Sequence, residues 1–450
     1  MKRSIAALAL LVAAAAMAGT TNNDDSCDIA WQPAATLLLP YFQVDFNSPP
    51  QSASQTLFTI QNVSALPQIA RVTLWTDWAF PAYSFPVFLT GYDVQPYNLY
   101  DLFANGTVVG TSADTPVPEN PTFGSQPVSN SANPNFLPDV QSGCLNVPAA
   151  LPPAFIDELR RIFTVGTMSA GCRVGGTHTD AIGYITIDLV ATCAPKNATS
   201  PDYFSILLYD NVLTGDYEQL AHAGANHYAQ GSPLVHIRAI PEGGPAGAVA
   251  ATSLPYTFYD RFTAGQPSRT IDRRQPLPSV FAPRWIAGGT NSLNTTLKIW
   301  REGVTSATAV CSDYQRNGDL QTREAVRFDE HENATLTSGC NILCGPPPGS
   351  PATTAVPATF AVFLPPFSTS GDAGGWLYLN LDNGGSASYS ARPGYTPSRP
   401  SQAWVITSMF AQPTYAIETT AIALGNGCTP RAPLSGEPKA QIGPAPNPTP

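Results

Sequence analysis

TLFTIQNVSALPQIARVTLWTDW, residues Thr56 to Trp78, sets two runs of alternating apolar residues on either side of a turn-forming segment, Asn62–Gln68. That is the pattern of an antiparallel strand pair. A fainter copy, TTLKIWREGVTSATAVCSDY, begins at Thr295. Working outward, Phe42 set against Phe281 puts Phe58 on Leu297 and Ile60 on Ile299 without a gap, with Leu39-Pro40 one residue from Leu277-Pro278. GYITIDLV at Gly183 resembles GWLYLNLD at Gly375. Phe204, Ile206, Glu218 and Asn226 then fall on Trp404, Ile406, Glu418 and Asn426. Three matches in one order predict an internal duplication.

Composition agrees with an all-β, mainly antiparallel chain. Charged residues are 12 % of the total, while Pro (45) and Gly (35) are abundant, which suits many short strands joined by turns. With 450 residues the chain exceeds one hydrophobic core. The expected organisation is a signal peptide (1–18), a lead-in (19–35), a β-sandwich module (36–241) and a Gly/Pro/Ala-rich crossover (242–274). A second β-sandwich module (275–428) and a Pro-rich tail (429–450) follow. A long polar loop (104–150) interrupts the first module. One helix is predicted at 151–163, where Pro152 and Pro153 suit a start, and Asp157 and Glu158 precede Arg160 and Arg161. Its apolar face holds Leu151, Phe155, Ile156, Leu159, Ile162 and Phe163, which would lie across one face or the open end of a sheet.

The opening MKRSIAALALLVAAAAMAGT has two basic residues, a short apolar run and Ala-Met-Ala before Gly19, the form of a cleaved signal peptide. No later run is apolar enough for a membrane helix, and the final residues lack the aromatic strand of a single-chain outer-membrane barrel. The expected location is therefore secreted, periplasmic or at the cell surface. A net charge of -10 argues against nucleic acid or an anionic membrane as partner. Eight cysteines, Cys27, Cys144, Cys172, Cys193, Cys311, Cys340, Cys344 and Cys428, read as disulfides in an exported chain, four in each half. Their spacing does not fit zinc.

Several stretches could carry chemistry. Asp313, Gln315, Asn317, Asp319 and Glu324, with Gly318 at the sixth place, follow the spacing of a twelve-residue calcium loop. Calcium is the one cofactor the sequence suggests. Against it, an alternating run precedes the loop where a helix should enter, and Asn317-Gly318 reads as a hairpin turn. The histidines are His178 beside Asp180, His222 and His227 in AHAGANHY, His236, and His331 inside the acidic run Asp329–Asn333. His236, Arg238 and Glu242, and the patch Arg269, Asp272, Arg273, Arg274 and Arg284, read as pairing between the halves. Trp75 and Trp78 flank Asp77, and an exposed aromatic there would suit a sugar ring. Asp188, Asp210 and Asp216 are further acids near strands. Asn62, Asn105, Asn197, Asn294 and Asn333 lie in glycosylation sequons. No nucleophile elbow or zinc-protease pattern occurs.

The sequence thus reads as an exported, disulfide-stabilised β-sandwich with a structural or ligand-binding role. Its partners would be carbohydrate or other surface proteins, and no catalytic residue is assigned. The second reading is an extracellular hydrolase of polysaccharide, supported by calcium. A third is a subunit of a surface assembly. Non-reducing peptide mapping of the exported chain is expected to find no free thiol, and two or more would contradict the disulfide reading.

Overall fold

The computed structural model describes residues 31–108, 150–193, 196, 198–199, 203, 206–223, 226–239, 274–288, 293–303, 314–318, 320, 324–336, 357–363, 373–381, 402–411 and 415–424. The first half runs β1 (Thr36–Val44), β2 (Gln55–Asn62), β3 (Gln68–Thr76), β4 (Pro81–Leu89) and β5 (Val94–Asn98). Helices α1 (Leu99–Asn105) and α2 (Pro153–Thr164) follow. Then come β6 (Ala181–Val190), β7 (Leu213–Thr214), β8 (Asp216–Ala223), β9 (Asn226–Pro233) and β10 (Val235–Ile237). The second half has β11 (Val280–Ala282), β12 (Arg284–Ile286), β13 (Leu293–Arg301), β14 (Glu324–Asp329) and β15 (Ala334–Leu336). It continues with β16 (Thr359–Phe363), β17 (Gly374–Asn380), β18 (Ala403–Ala411), β19 (Tyr415–Thr420) and β20 (Ile422–Ala423).

Among the described residues the strands form four antiparallel sheets, two from each half. Sheet 1 is ordered β10-β1-β6-β3-β4 and sheet 2 is β5-β2-β8-β9, with β7 also on β2. Sheet 3 is β20-β11-β17-β14-β15, with β12 also on β17, and sheet 4 is β16-β13-β18-β19. Matching β1 with β11–β12, β2 with β13, β3 with β14 and so on, the two halves have one strand order. The ladders agree in register as well. The β3–β6 ladder ends at Thr76↔Gly183 and the β14–β17 ladder at Asp329↔Gly375. The β2–β5 ladder ends at Gln61↔Val94 and the β13–β16 ladder at Trp300↔Thr359. Counting back, Phe58 and Leu297 hold equal places, as do Ile60 and Ile299.

Two of the sequence matches change. Phe42 pairs with Gly183 and Trp285 with Gly375, so the counterpart of Phe42 is Trp285, not Phe281. Glu218 lies in β8 and Glu418 in β19, which are not corresponding strands, and Ile206 lies outside the regular strands. Similar alternation in neighbouring strands makes a register shift invisible to sequence matching.

One helix was expected, and two α-helices are present among the described residues. In α1, Asn98 caps the start by accepting from the Tyr100 N–H, and Gly106 closes it at φ 68°. A helix of seven residues is too short to show a period. Helix α2 begins at Pro153 and buries Ile156, Leu159, Ile162 and Phe163 as expected, but Phe155 is exposed. Together the helices press Phe103 and Phe163 onto Phe42 at the end of sheet 1, with ring centroids 5.2–6.1 Å apart.

The central strands of sheet 1, β1, β6 and β3, are buried on both faces. Ile185 and Ile187 join the core shared with sheet 2, while Tyr184, Thr186 and Asp188 point the other way and are equally buried. Trp75 is therefore not an exposed aromatic. It is fully buried, stacked on Tyr184 at 5.6 Å, and its indole N–H donates to Thr186 Oγ1 at 2.8 Å. What covers this face is the second half. Trp300 meets Tyr184 edge-on at 5.9 Å, and Thr359 donates its hydroxyl to Pro40 O at 2.8 Å.

Charges on the buried face are paired. Asp188 accepts from Thr36 Oγ1 (2.7 Å), Tyr203 OH (2.8 Å) and Arg274 Nη1 (2.9 Å). Arg274 is fully buried and sits at the entry to the second half. Removing one partner of such a pair costs roughly 3–5 kcal/mol, because the other charge is left in low dielectric. A second network joins the halves directly. Lys298 bonds Glu418 at 3.0 Å and also bonds Gln219, and Tyr217 OH donates to Glu418 at 2.8 Å. His236 bonds Gln32 O, and Arg238 bonds the Gln32 side chain, so these two brace the segment that leads into β1. Glu242, Arg269, Asp272 and Arg273 lie outside the described residues.

Burial pushes the phenols of Tyr41, Tyr97, Tyr184, Tyr203 and Tyr217 upward, and that of Tyr83 to about 12. In the unfolded chain they ionise near pH ~10. Above that pH the folded state binds more protons than the unfolded one, so stability falls as pH rises, by up to ~1.4 kcal/mol per unit for each phenol. Burial lowers the Lys298 ammonium and acts oppositely, but it is one group against several. Urea midpoints are expected to drop between about pH 9.5 and 11.5, with the phenolate absorbance of these buried tyrosines appearing only as the chain unfolds. Full phenol titration in a still-folded protein would contradict this.

Candidate functional site

The corresponding ends of sheets 1 and 3 differ. In the first half the connection from β5 to β6 spans residues 99–180 and supplies α1 and α2, whose phenylalanines fill the end of the sandwich. In the second half β16 and β17 are joined by residues 364–373 alone. At that end sheet 3 presents a groove of about 730 Å³ lined by Arg284, Trp285, Trp376, Met409, Ile422 and the acidic turn Asp329–Glu332, among others.

Each wall has a local cause. Pro283 lacks an N–H and separates β11 from β12, and its carbonyl accepts from Leu377 N at 2.9 Å. Trp285 is buried, with the Arg327 guanidinium 4.7 Å above its ring. A Cβ on Gly375 would lie 2.0 Å from Phe328 O and 2.9 Å from Trp285 Nε1, so only glycine lets these strands close. Trp376 stacks on Phe328 with centroids 4.2 Å apart and planes at 5°, and both rings are half-buried. Ile422 is 66 % exposed.

The acidic run identified in the sequence forms one rim. Asp329 accepts from His331 N (2.8 Å), Asn333 N (2.8 Å) and Asn333 Nδ2 (2.9 Å). These bonds, chiefly that from the Asn333 side chain, hold its carboxyl below the usual range. Glu330 accepts from Ala373 N at 3.3 Å. Glu332 adopts φ 63°, an uncommon conformation that turns the chain back. His331 is exposed.

A second cluster lies where the halves meet. His178 Nε2 is 3.0 Å from Asp77 Oδ2, and Gly176 N donates to both oxygens of Asp77 at 3.0 and 3.2 Å. A Cβ on Gly176 would come within 2.7 Å of that carboxylate, so glycine permits the approach. Asp180, expected beside His178, instead accepts from Gln43 at 2.6 Å. The Asp77–His178 pair fixes an imidazole, and among the described residues no hydroxyl or thiol bonds its other nitrogen. Asp77 O also accepts from Thr359 N, and Trp78 O from Asn317 Nδ2 at 2.9 Å, so this turn is a joint between halves.

The calcium-loop residues are only partly described. Gln315 is exposed, and Asn317 is buried with its amide on the Trp78 carbonyl. Asp313, Asp319 and the Glu324 side chain lie outside the described residues. Arg316–Gly318 is a 3₁₀ turn rather than a two-residue hairpin turn, with Gly318 against the Trp78 ring. His222 and His227 face each other across β8–β9 in backbone register. Among the described residues no group of three or more His, Cys, Asp or Glu could hold a metal ion. No helix among them is long and apolar enough to cross a membrane. Cys172 and Cys193 are not free thiols, and the other six cysteines lie outside the described residues.

Sequence reasoning singled out the acidic rim but missed Arg284 as a groove residue, and Trp285, Trp376, Met409 and Ile422 altogether. The one usable signal was Gly374-Gly375-Trp376, since paired glycines in a strand mark a close backbone approach. No protein-family model, curated protein or solved structure matches the chain.

Proposed function

We propose that the protein is an exported, disulfide-stabilised binding protein whose ligand site is the groove at the end of sheet 3. The half-buried Trp376, stacked on Phe328 beside polar groups, carries the reading. A rigid indole face with acceptors at its edge suits the flat apolar face of a sugar ring, whose hydroxyls need partners. Three carboxylates against one guanidinium favour a neutral saccharide over an acidic one. An origin of the two halves by duplication belongs to the same proposal and is supported by their common strand order.

Hydrolysis is the weaker reading. Glycoside cleavage needs two carboxyl groups flanking the scissile bond, one of them able to hold a proton. Asp329, Glu330 and Glu332 all rise from one turn, on one rim, and Asp329 is held ionised by its own loop.

Titration with a panel of neutral hexasaccharides, followed by tryptophan fluorescence, is expected to find a saturable quench. Trp376→Ala should weaken it about tenfold, near the ~1.4 kcal/mol of a stacking contact. A panel that leaves fluorescence unchanged, or equal affinity in Trp376→Ala, counts against the site. Calcium at the 313–324 segment is proposed as a structural support. If it binds, calcium raises the melting temperature and a chelator reverses the rise. An unchanged melt rejects it.

A further inference from the structure

The network that joins β8, β13 and β19 brings an amine, a carboxamide and a carboxylate together in the interior. Lys298 Nζ bonds Gln219 Oε1 and lies 3.0 Å from Glu418 Oε1. All three residues are buried, and the side chains of Lys298 and Glu418 are 6 % and 0 % exposed. Across β18 the ladders set Lys298 opposite Ile406 and Glu418 opposite Ser408, so the two charges lie one step apart on the face that carries Trp300. Two of the groups are also held from a second side. Gln219 Nε2 donates to Tyr41 O at 2.8 Å, which fixes the plane of the carboxamide, and Tyr217 OH donates to Glu418 Oε1 at 2.8 Å. Glu418 Oε2 is buried and accepts no hydrogen bond among the described residues.

Burial changes what these groups can do. Removal from water, only partly offset by the carboxylate of Glu418, lowers the Lys298 ammonium. A desolvated lysine is a nucleophile, and the carboxylate in contact with it is a base. The carbonyl carbon of Gln219 is one bond from the oxygen that Nζ touches. Packing holds amine and carboxamide together and keeps water away, so their reaction is intramolecular and its product is protected from hydrolysis.

We infer that Lys298 and Gln219 become joined by an isopeptide bond that the folded chain forms on itself, with Glu418 as the proton carrier. The Lys298 ammonium gives one proton to Glu418, and the freed lone pair forms a C–N bond to Cδ of Gln219. A second amine proton goes to Nε2, and the Cδ–Nε2 bond breaks with its electron pair on nitrogen. The leaving ammonia takes the proton from Glu418 and departs as ammonium, which restores the carboxylate. No oxidant, reductant or co-reactant is consumed. The bond ties β8 of the first half to β13 of the second, across 79 positions of the chain. It needs no cysteine, and it goes beyond ligand binding in the groove, with which it shares no residue.

Mass spectrometry of the full exported chain, reduced and denatured, tests it. The wild-type chain is expected to be lighter than its sequence by one ammonia. A tryptic digest is expected to hold a branched peptide joining Gln219 to Lys298, with no cleavage after Lys298. Lys298→Met should restore the full mass. In Glu418→Ala the bond should form at least about a hundredfold more slowly, with circular dichroism showing the strands retained. A wild-type chain at full mass, with an unmodified peptide ending at Lys298, overturns the inference. So does ammonia lost without the branched peptide, or water lost with Lys298 joined to Glu418. Linkage at the wild-type rate in Glu418→Ala overturns the role of that carboxylate. The wild-type spectrum decides the bond by itself, whether or not a variant folds.

Discussion

The central strands of sheet 1, β1, β6 and β3, have water on neither face, and that constraint organises the molecule. A sheet with one solvated side can alternate polar and apolar residues freely. A sheet enclosed on both sides must satisfy every polar group it carries. Asp188 does so with Thr36, Tyr203 and Arg274, and Trp75 with Thr186. Arg274 comes from the start of the second half and Trp300 from its β13 strand, so the first half cannot complete its core without the second. The halves form one cooperative body in this sense: breaking their joint would strand a buried carboxylate and expose the aromatic surface of Trp75, Tyr184 and Trp300 at once.

The same strand order has been put to two uses. In the first half a long connection delivers two helices, and Phe103 and Phe163 close the end of the sandwich over Phe42. In the second half a short connection leaves that end open, and Trp285, the counterpart of Phe42, lies beneath the groove. The ladder geometry is common to both, down to the glycine that admits a neighbouring ring: Gly183 beside Phe163 and Gly375 beside Trp285. What differs is the material inserted between corresponding strands. Loops tolerate such insertions at small entropic cost, while the ladders do not tolerate a shift of register.

The candidate site is half legible in the amino-acid sequence. Asp329–Asn333 stands out as charge concentrated in a chain poor in it, and three of its acids form a rim of the groove. The aromatic wall does not stand out, because Trp285 and Trp376 are spaced like core residues and one of them is core. Asp77 and His178 each draw notice in the sequence, but nothing there joins them. They are a hundred residues apart, and only the β3–β6 ladder, with a glycine at Gly176, brings them within 3.0 Å.

By itself the sequence determined the local grammar of this protein. Strand periods, turn residues, a proline-led helix and a low share of charged residues follow from side-chain chemistry over a few positions, and they sufficed for an all-β chain whose two halves share one strand order. Tertiary structure alone decided which alternating face met solvent. Trp75 reads as exposed because alternation marks two faces without saying what lies against either. The second half lies against that face, and a contact between residues more than a hundred positions apart leaves no mark within the strand itself.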